Sequence, residues 1–393
     1  MRRSLGRLSV DSLFSRSRTS RWLAWFAIGA MLGSSILLLR LSLEQLQSVN
    51  RTEYNRYFTA SEKSLQTGAH PRSSEAADGK RVSSGSTGQS LQGTGADGGN
   101  EQPEALEDYD QPDVHVYLTK EKRIEKVPLE VYVRGVLAAE MPVEFELEAL
   151  KAQAIAARTF IVRRLLKGDR EGVPVQGADV IDTALHQVYI SERKLSELWN
   201  EDVRPAKLNK LNEAVNQTKG LIITYEGEPI QAAFFSTSNG YTENSEDYWQ
   251  QELPYLRSVE SPWDEEISPK YKETVVMKVS EFYRKLGLKN KDSSSSAIRI
   301  VEKTDGKRIG KIAIDGSVFT GREVREKLGL ASSQFSWSFK DDSIFITTYG
   351  YGHGVGMSQW GANGMAKEGA AAADILNHYY SSTVVEQASK LRK

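Results

Sequence analysis

From Val114 onward, apolar and polar residues alternate in two short runs, VHVYL and KRIEKVPLE, which predict strands. The next run, VYVRGVLAAE, shifts to helical spacing and has to stop before Pro142, because a proline pushes the preceding residue out of the α region. Glu148 to Leu166 predicts the clearest helix. Leu150, Ala154, Ala157, Ile161 and Leu165 form one apolar stripe, Gly168 follows the end, and Lys151 and Arg158 fall two turns apart on another face. GLIITYEGEPIQAAFFSTS predicts a hairpin that turns near Glu226 to Glu228. AIRIVEK, GKIAIDG and SWSFKDDSIFITTYG read as strands, TGREVREKLGL and ADILNHYY as helices. Strands and helices do not alternate regularly, so the fold class is α+β and not a doubly wound sheet. One globular domain is expected over residues 113–385, strand-rich at its core with flanking helices, and a short tail over 386–393.

The N-terminal third has a different pattern. From Trp22 to Leu39, WLAWFAIGAMLGSSILLL carries no charge and reaches the ~18 residues at which a transmembrane helix becomes a candidate. A cleaved signal peptide is the competing reading, but this apolar run exceeds the ~7 to 15 residues expected of one, and no small-residue cleavage site stands between Leu41 and Tyr57. An anchor over 22–41 is therefore expected. Arg2, Arg3, Arg7, Arg16, Arg18 and Arg21 precede it, so the tail 1–21 is assigned to the cytoplasm and the rest of the chain to the outside. Residues 42–112, with SSGSTGQSLQGTGADGGNEQPE at their centre, lack apolar periodicity and read as a flexible spacer.

Composition narrows the function classes. Hydrophobic residues at 39% and aromatics at 9% are enough for a core, while 51 basic against 52 acidic residues leave no electrostatic footprint for nucleic acid. The absence of cysteine excludes disulfides, thiolate nucleophiles and Cys-ligated zinc.

The most unusual segment is ITTYGYGHGVGMSQWGANGM, residues 346–365. Its glycines permit turns and close approaches that side chains forbid. A P-loop would need a Lys and a Ser or Thr at the end of the run, and a dinucleotide fingerprint would need an acidic residue at a strand end about 20 positions on. Neither is present, since Asp374 sits in a helical pattern. What is left is a glycine-lined surface displaying His353, Ser358, Gln359 and Trp360, suited to sugars, or alternatively a tight loop around a buried histidine. FFSTSNGYTENSEDYW holds Ser236 without the flanking glycines of a nucleophile elbow, so its hydroxyls and amides line a groove or cap a turn. His186 has no metal-ligand spacing and reads as structural. Glu140, in VLAAEMP, has apolar neighbours that would raise its pKa into the range of a general acid; a surface glutamate at a helix end is the other reading.

Taken together, LEVYVRGVLAAEMPVEFELEALKAQAIAARTF, FFSTSNGYTENSEDYW and GYGHGVGMSQWGANGMAKEG resemble the stage II sporulation protein D family, whose members act on peptidoglycan during endospore formation and are related to amidase enhancers. The resemblance spans about Val114 to Thr383. It implies a lytic transglycosylase that cleaves the MurNAc–GlcNAc bond of peptide-stripped glycan strands to 1,6-anhydro products during engulfment. Glu140 matches the catalytic glutamate, Lys151 and Arg158 match basic groove residues, and Ser236, Tyr241, His353 and Gln359 fall in groove-lining motifs. It further implies the stage II sporulation protein P amidase and the stage II sporulation protein M scaffold as partners, and the mother cell's engulfing membrane as location. Members that hold zinc use Cys and His, so no metal or other cofactor is expected here. The alternative from another class is a non-catalytic peptidoglycan-binding module that activates an amidase.

Overall fold

The structure, a computed structural model, describes residues 112–249, 251–289 and 297–390. The expected tail 1–21, the anchor 22–41 and all but the last residue of the spacer lie outside the described residues. Among the described residues, no helix is long and apolar enough to cross a membrane.

The fold is α+β, with ten helices and six small sheets among the described residues. The two expected strands form as β1 (Asp113–Leu118) and β2 (Arg123–Pro128), and they pair antiparallel with Asp113 opposite Pro128. Helix α1 (Leu129–Glu140) ends where Pro142 requires it, with Met141 already extended. Helix α2 (Leu147–Lys167) ends at Gly168 in the left-handed conformation, where glycine carries no Cβ penalty. Strand β3 (Val180–Ile181) adds to β1 in parallel, and helices α3 (Glu192–Leu198) and α4 (Arg204–Gln217) follow.

The expected hairpin forms between β4 (Leu221–Tyr225) and β5 (Glu228–Pro229), and positive φ at Glu226 and Gly227 gives it a tight turn. It is shorter than the sequence pattern implies, because Pro229 donates no N–H to a ladder. The chain then leaves this sheet as β6 (Phe234–Phe235), β7 (Gly240–Tyr241), helix α5 (Ser245–Trp249), β8 (Glu260–Ser261) and helix α6 (Asp264–Ile267).

Residues from β9 (Lys272–Lys278) onward build a second lobe. Helix α7 (Val279–Leu286), β10 (Ile298–Lys303), β11 (Ile309–Ile314), β12 (Ser317–Thr320), helix α8 (Gly321–Leu328), β13 (Phe335–Lys340) and β14 (Ser343–Tyr349) complete it as sheets ordered β13-β14-β9 and β10-β11-β12. The chain returns to the first lobe through β15 (Met357–Ser358), helices α9 (Gln359–Lys367) and α10 (Ala372–Tyr379), and β16 (Val384–Gln387), which pairs with β4. The expected boundary at 385 falls inside β16. Glu386 and Gln387 gave no apolar signal, and only pairing with β4 makes them strand.

The packing departs from a single strand-rich core. One hydrophobic cluster surrounds α2, and a separate one fills the second lobe around Ile312, Ile344 and Phe282. From Ala149 to Val162, α2 is buried around almost its whole circumference, beyond the expected stripe. Alanines at 149, 152, 154, 156 and 157 let the neighbouring elements approach closely. Enclosed in this way, the helix leaves Arg158 no access to solvent.

Candidate functional site

Glu140 is the last residue of α1, partly exposed at the end of a helix whose dipole disfavours negative charge there. The backbone N–H of Val188 donates to its Oε1 at 2.9 Å. Burial pushes the carboxyl up to about 7, and the Val188 N–H and the Gln359 amide, which both favour the charged form, offset this only in part.

The loop carrying Val188 is held from several sides. Gly135 leaves room for it, since a Cβ there would meet the Tyr189 ring at 2.4 Å and the Ile190 carbonyl at 2.6 Å. Tyr132 and Tyr189 stack with centroids 5.4 Å apart, and the Tyr132 hydroxyl donates to Gln187 Oε1. His186 staples the loop: Nδ1 accepts from the Ile181 N–H and Nε2–H donates to the Glu171 carbonyl, both at 2.9 Å. Burial lowers its pKa to about 4, so it stays neutral in that tautomer. This is the structural role expected of it.

Gln359 reaches Glu140 from the far end of the chain. Gly356 makes the approach feasible, with φ at +77° and a position where a Cβ would lie 2.1 Å from the Ala233 carbonyl. Strand β15 then pairs in parallel with β6, Met357 opposite Phe234 and Ser358 opposite Phe235. The Ser358 hydroxyl caps α9 by accepting from the Gly361 N–H. Three residues of α9 dock on the segment after Glu140: Gln359 beside the carboxyl, Trp360 edge-on to Phe145 at 4.7 Å, and Asn363 Oδ1 accepting from the Glu146 N–H at 2.8 Å.

Asp264 joins these segments from below. Its carboxyl, fully buried, accepts from the Ser238 N–H at 2.8 Å and is surrounded by the hydroxyls of Ser238, Ser261 and Ser358 at 2.9, 3.0 and 2.5 Å. Burial raises its pKa, against the opposing effect of these hydrogen bonds. Removing a carboxyl that satisfies several buried donors leaves them stranded, so Asp264→Ala is expected to cost about 3 kcal/mol or more. Chemical denaturation measures this, and a loss under about 1 kcal/mol would mean the network is not what ties β6 to α9.

The other predicted residues divide. Ser236 is buried, its carbonyl accepting from the Trp360 N–H at 3.1 Å, so it joins the Gln359 segment through backbone. Lys151 is partly exposed, with Nζ donating to Glu148 Oε1 at 2.6 Å. Tyr241 is partly exposed beneath Lys307 Nζ, 5.4 Å from the ring centroid. His353 sits among Phe235, Tyr248 and Trp249, with centroids 5.4 to 5.7 Å away, and Nδ1 accepts from the Val355 N–H. Burial, then Arg325 and Arg308, lower its pKa to about 3, so it is a neutral ring locked in an aromatic cluster.

Arg158 corrects the sequence expectation. It has no exposed surface and grips Glu130, Nε donating to Oε1 at 2.9 Å and Nη2 to Oε2 at 2.5 Å, while Nη1 donates to the Leu221 carbonyl. The guanidinium is consumed by the core and faces no groove.

The sequence aligns at 50% identity over 275 residues, 70% of this chain and 79% of the relative, with stage II sporulation protein D of Bacillus subtilis strain 168. The chain belongs to the stage II sporulation protein D family. Its counterpart from Bacillus amyloliquefaciens is 49% identical over the same length. A family model described as "Stage II sporulation protein" matches residues 117–225, a stretch that holds Glu140, Lys151 and Arg158. The chain is also similar to an amidase enhancer of Bacillus subtilis strain 168, 31% identical over 305 residues, 64% of this chain and 40% of that protein.

Several residues that shape this region of the fold carry no sequence signal. Val188 acts through its backbone, which its side chain does not announce. Glu243, in the second motif, is a buried carboxyl that burial pushes to about 7, with Thr304 donating at 2.8 Å and Arg308 Nε 3.6 Å away. Arg308, from the second lobe, also donates to the Gly352 carbonyl at 3.0 Å and thereby braces the glycine loop. Among the described residues, no group of three His, Cys, Asp or Glu side chains is placed to hold a metal ion.

Proposed function

We propose that this protein is a peptidoglycan lytic transglycosylase that cleaves the MurNAc–GlcNAc bond of peptide-stripped strands, with Glu140 as acid and then base. The observation that carries this reading is the Glu140 carboxyl, held by Val188 and pushed up to about 7 by burial. A group with that pKa can both give and take a proton near neutrality. Glycoside hydrolases usually need a second carboxylate to activate water or attack the sugar. In the lytic reaction, the C6 hydroxyl of MurNAc attacks C1 as the C1–O4 bond to the next sugar breaks. Glu140 protonates the departing oxygen and takes the C6 hydroxyl proton as the 1,6-anhydro ring closes, so one carboxyl ends as it began. Lys151, near the start of α2, supplies positive charge for the strand, and Tyr241 and Trp360 supply partly exposed rings.

Anchoring by residues 22–41, with the folded region outside the cytoplasm in the engulfing mother-cell membrane, completes the proposal. So do the stage II sporulation protein P amidase and the stage II sporulation protein M scaffold as partners. The likeness to an amidase enhancer favours a second reading, a non-catalytic activator of such an amidase.

Incubating the full chain with peptide-stripped glycan strands and resolving the products by mass separates the two readings. 1,6-Anhydro ends are expected; their absence, with an added amidase releasing stem peptides from intact peptidoglycan faster when the chain is present, would favour the activator. The acid must be protonated for the first step, so kcat/KM is expected to fall as pH rises through about 7. A rate still climbing at pH 9 would contradict Glu140 as the acid.

A further inference from the structure

Gln359 stands beside a carboxyl that has to be neutral at the start of each turnover and charged in the middle of it. Its side chain is buried, and Nε2 makes no hydrogen bond of full geometry. Its backbone is fixed on both sides: Ser358 is tied to Asp264 before it, and Trp360 and Asn363 are docked on Phe145 and Glu146 after it. The backbone is therefore held on both sides, and the amide nitrogen is left without a hydrogen-bond partner of full geometry beside the carboxyl. On the opposite side, the Val188 N–H can only donate, and it occupies Oε1. A primary amide is the one neutral side chain that offers a donor and an acceptor at nearly the same place, exchanged by a half-turn.

We propose that Gln359 is a positioning residue for Glu140, whose amide donates N–H to the charged carboxylate and turns over to accept from the neutral acid, while Val188 keeps Oε1 as the fixed acceptor. The mobile proton is thereby confined to Oε2, the oxygen that has to face the glycosidic bond. The proposal rests on the transglycosylase reading for its purpose but not for its geometry. Tyr132 also senses Glu140, and burial pushes its ionisation far above neutrality; Glu243, the second carboxyl that burial pushes to about 7, is common to the protein and the Glu140→Gln blank and cancels in the difference.

The test uses the full chain with Gln359→Met, close in volume but without the amide, and Gln359→Glu, close in shape but acidic. Infrared difference spectra of the carboxyl stretch, with Glu140→Gln as the blank, follow the Glu140 titration whether or not the protein cleaves glycan. Donation to a charged oxygen is the stronger of the two bonds, so Gln359→Met is expected to move the midpoint up by about one pH unit. Gln359→Glu is expected to move it further, because two carboxyls share the site. On glycan strands, Gln359→Met is expected to lower kcat about tenfold or more while KM changes less than about threefold. A midpoint within about 0.3 units of wild type in both variants, or a raised KM with kcat unchanged, would overturn the proposal. Wild-type protein that releases no 1,6-anhydro product, yet shows the shifts, would sink the transglycosylase reading and leave the positioning role standing.

Discussion

Glu140→Gln is expected to lower the rate of 1,6-anhydro product release by about 10³-fold, within the range that general acid–base catalysis contributes. The substitution keeps the shape and the contact with the Val188 N–H through the amide oxygen, but it can neither give nor take a proton. A stability measurement separates this loss from a trivial cause, unfolding. The Glu140 pKa is higher folded than unfolded, so between the unfolded value and about 7 the folded state binds the extra proton, and stability falls as pH rises through that window. An amide has no such dependence. The variant is therefore expected to melt at or above the wild-type temperature at pH 8, while being inactive. Undiminished product from this variant would remove Glu140 from the chemistry.

Arg158→Met is expected to destabilise the fold by about 3–5 kcal/mol, because it leaves the Glu130 carboxylate buried without its partner. For a domain of this size, that lowers the melting temperature by about 10 °C. The double variant Glu130→Leu/Arg158→Met, which removes both charges, is expected to recover most of the loss. Thermal unfolding of the two variants decides between core and groove. If Arg158 served the substrate, Arg158→Met would raise KM at nearly wild-type stability.

The two residues mark where sequence patterns stop being informative. Glu140 was placed at a helix end by Pro142, and its apolar neighbours pointed to a raised pKa, both of which depend on residues adjacent in the chain. Arg158 was placed on the correct helix but on the wrong side of solvent. A helical repeat says which residues share a face, and it does not say how many other elements will pack around the helix. Here, α1, α4, α9, α10 and β4 all contact α2, so a face that reads as polar became interior.

Local signals determined most of the elements: the β1–β2 pair, the ends of α1 and α2, the turn at Glu226 and Gly227, and the α8 helix with its Thr320–Glu323 capping box. Each is governed by contacts within a few residues, which propensity and turn chemistry describe well. The α+β class followed from their order. The second core was not legible, since hydrophobic runs do not state which runs they will join. The same holds for the site. Glu140, Val188, Asp264 and Gln359 lie up to 219 positions apart, and the hydrogen bonds that assemble them cross between segments whose pairing depends on the closed chain. The sequence by itself determined which residues were chemically able to act. Only the tertiary structure decided which of them meet, because desolvation, a main-chain donor and a neighbouring amide are properties of a place in the fold and of no single residue.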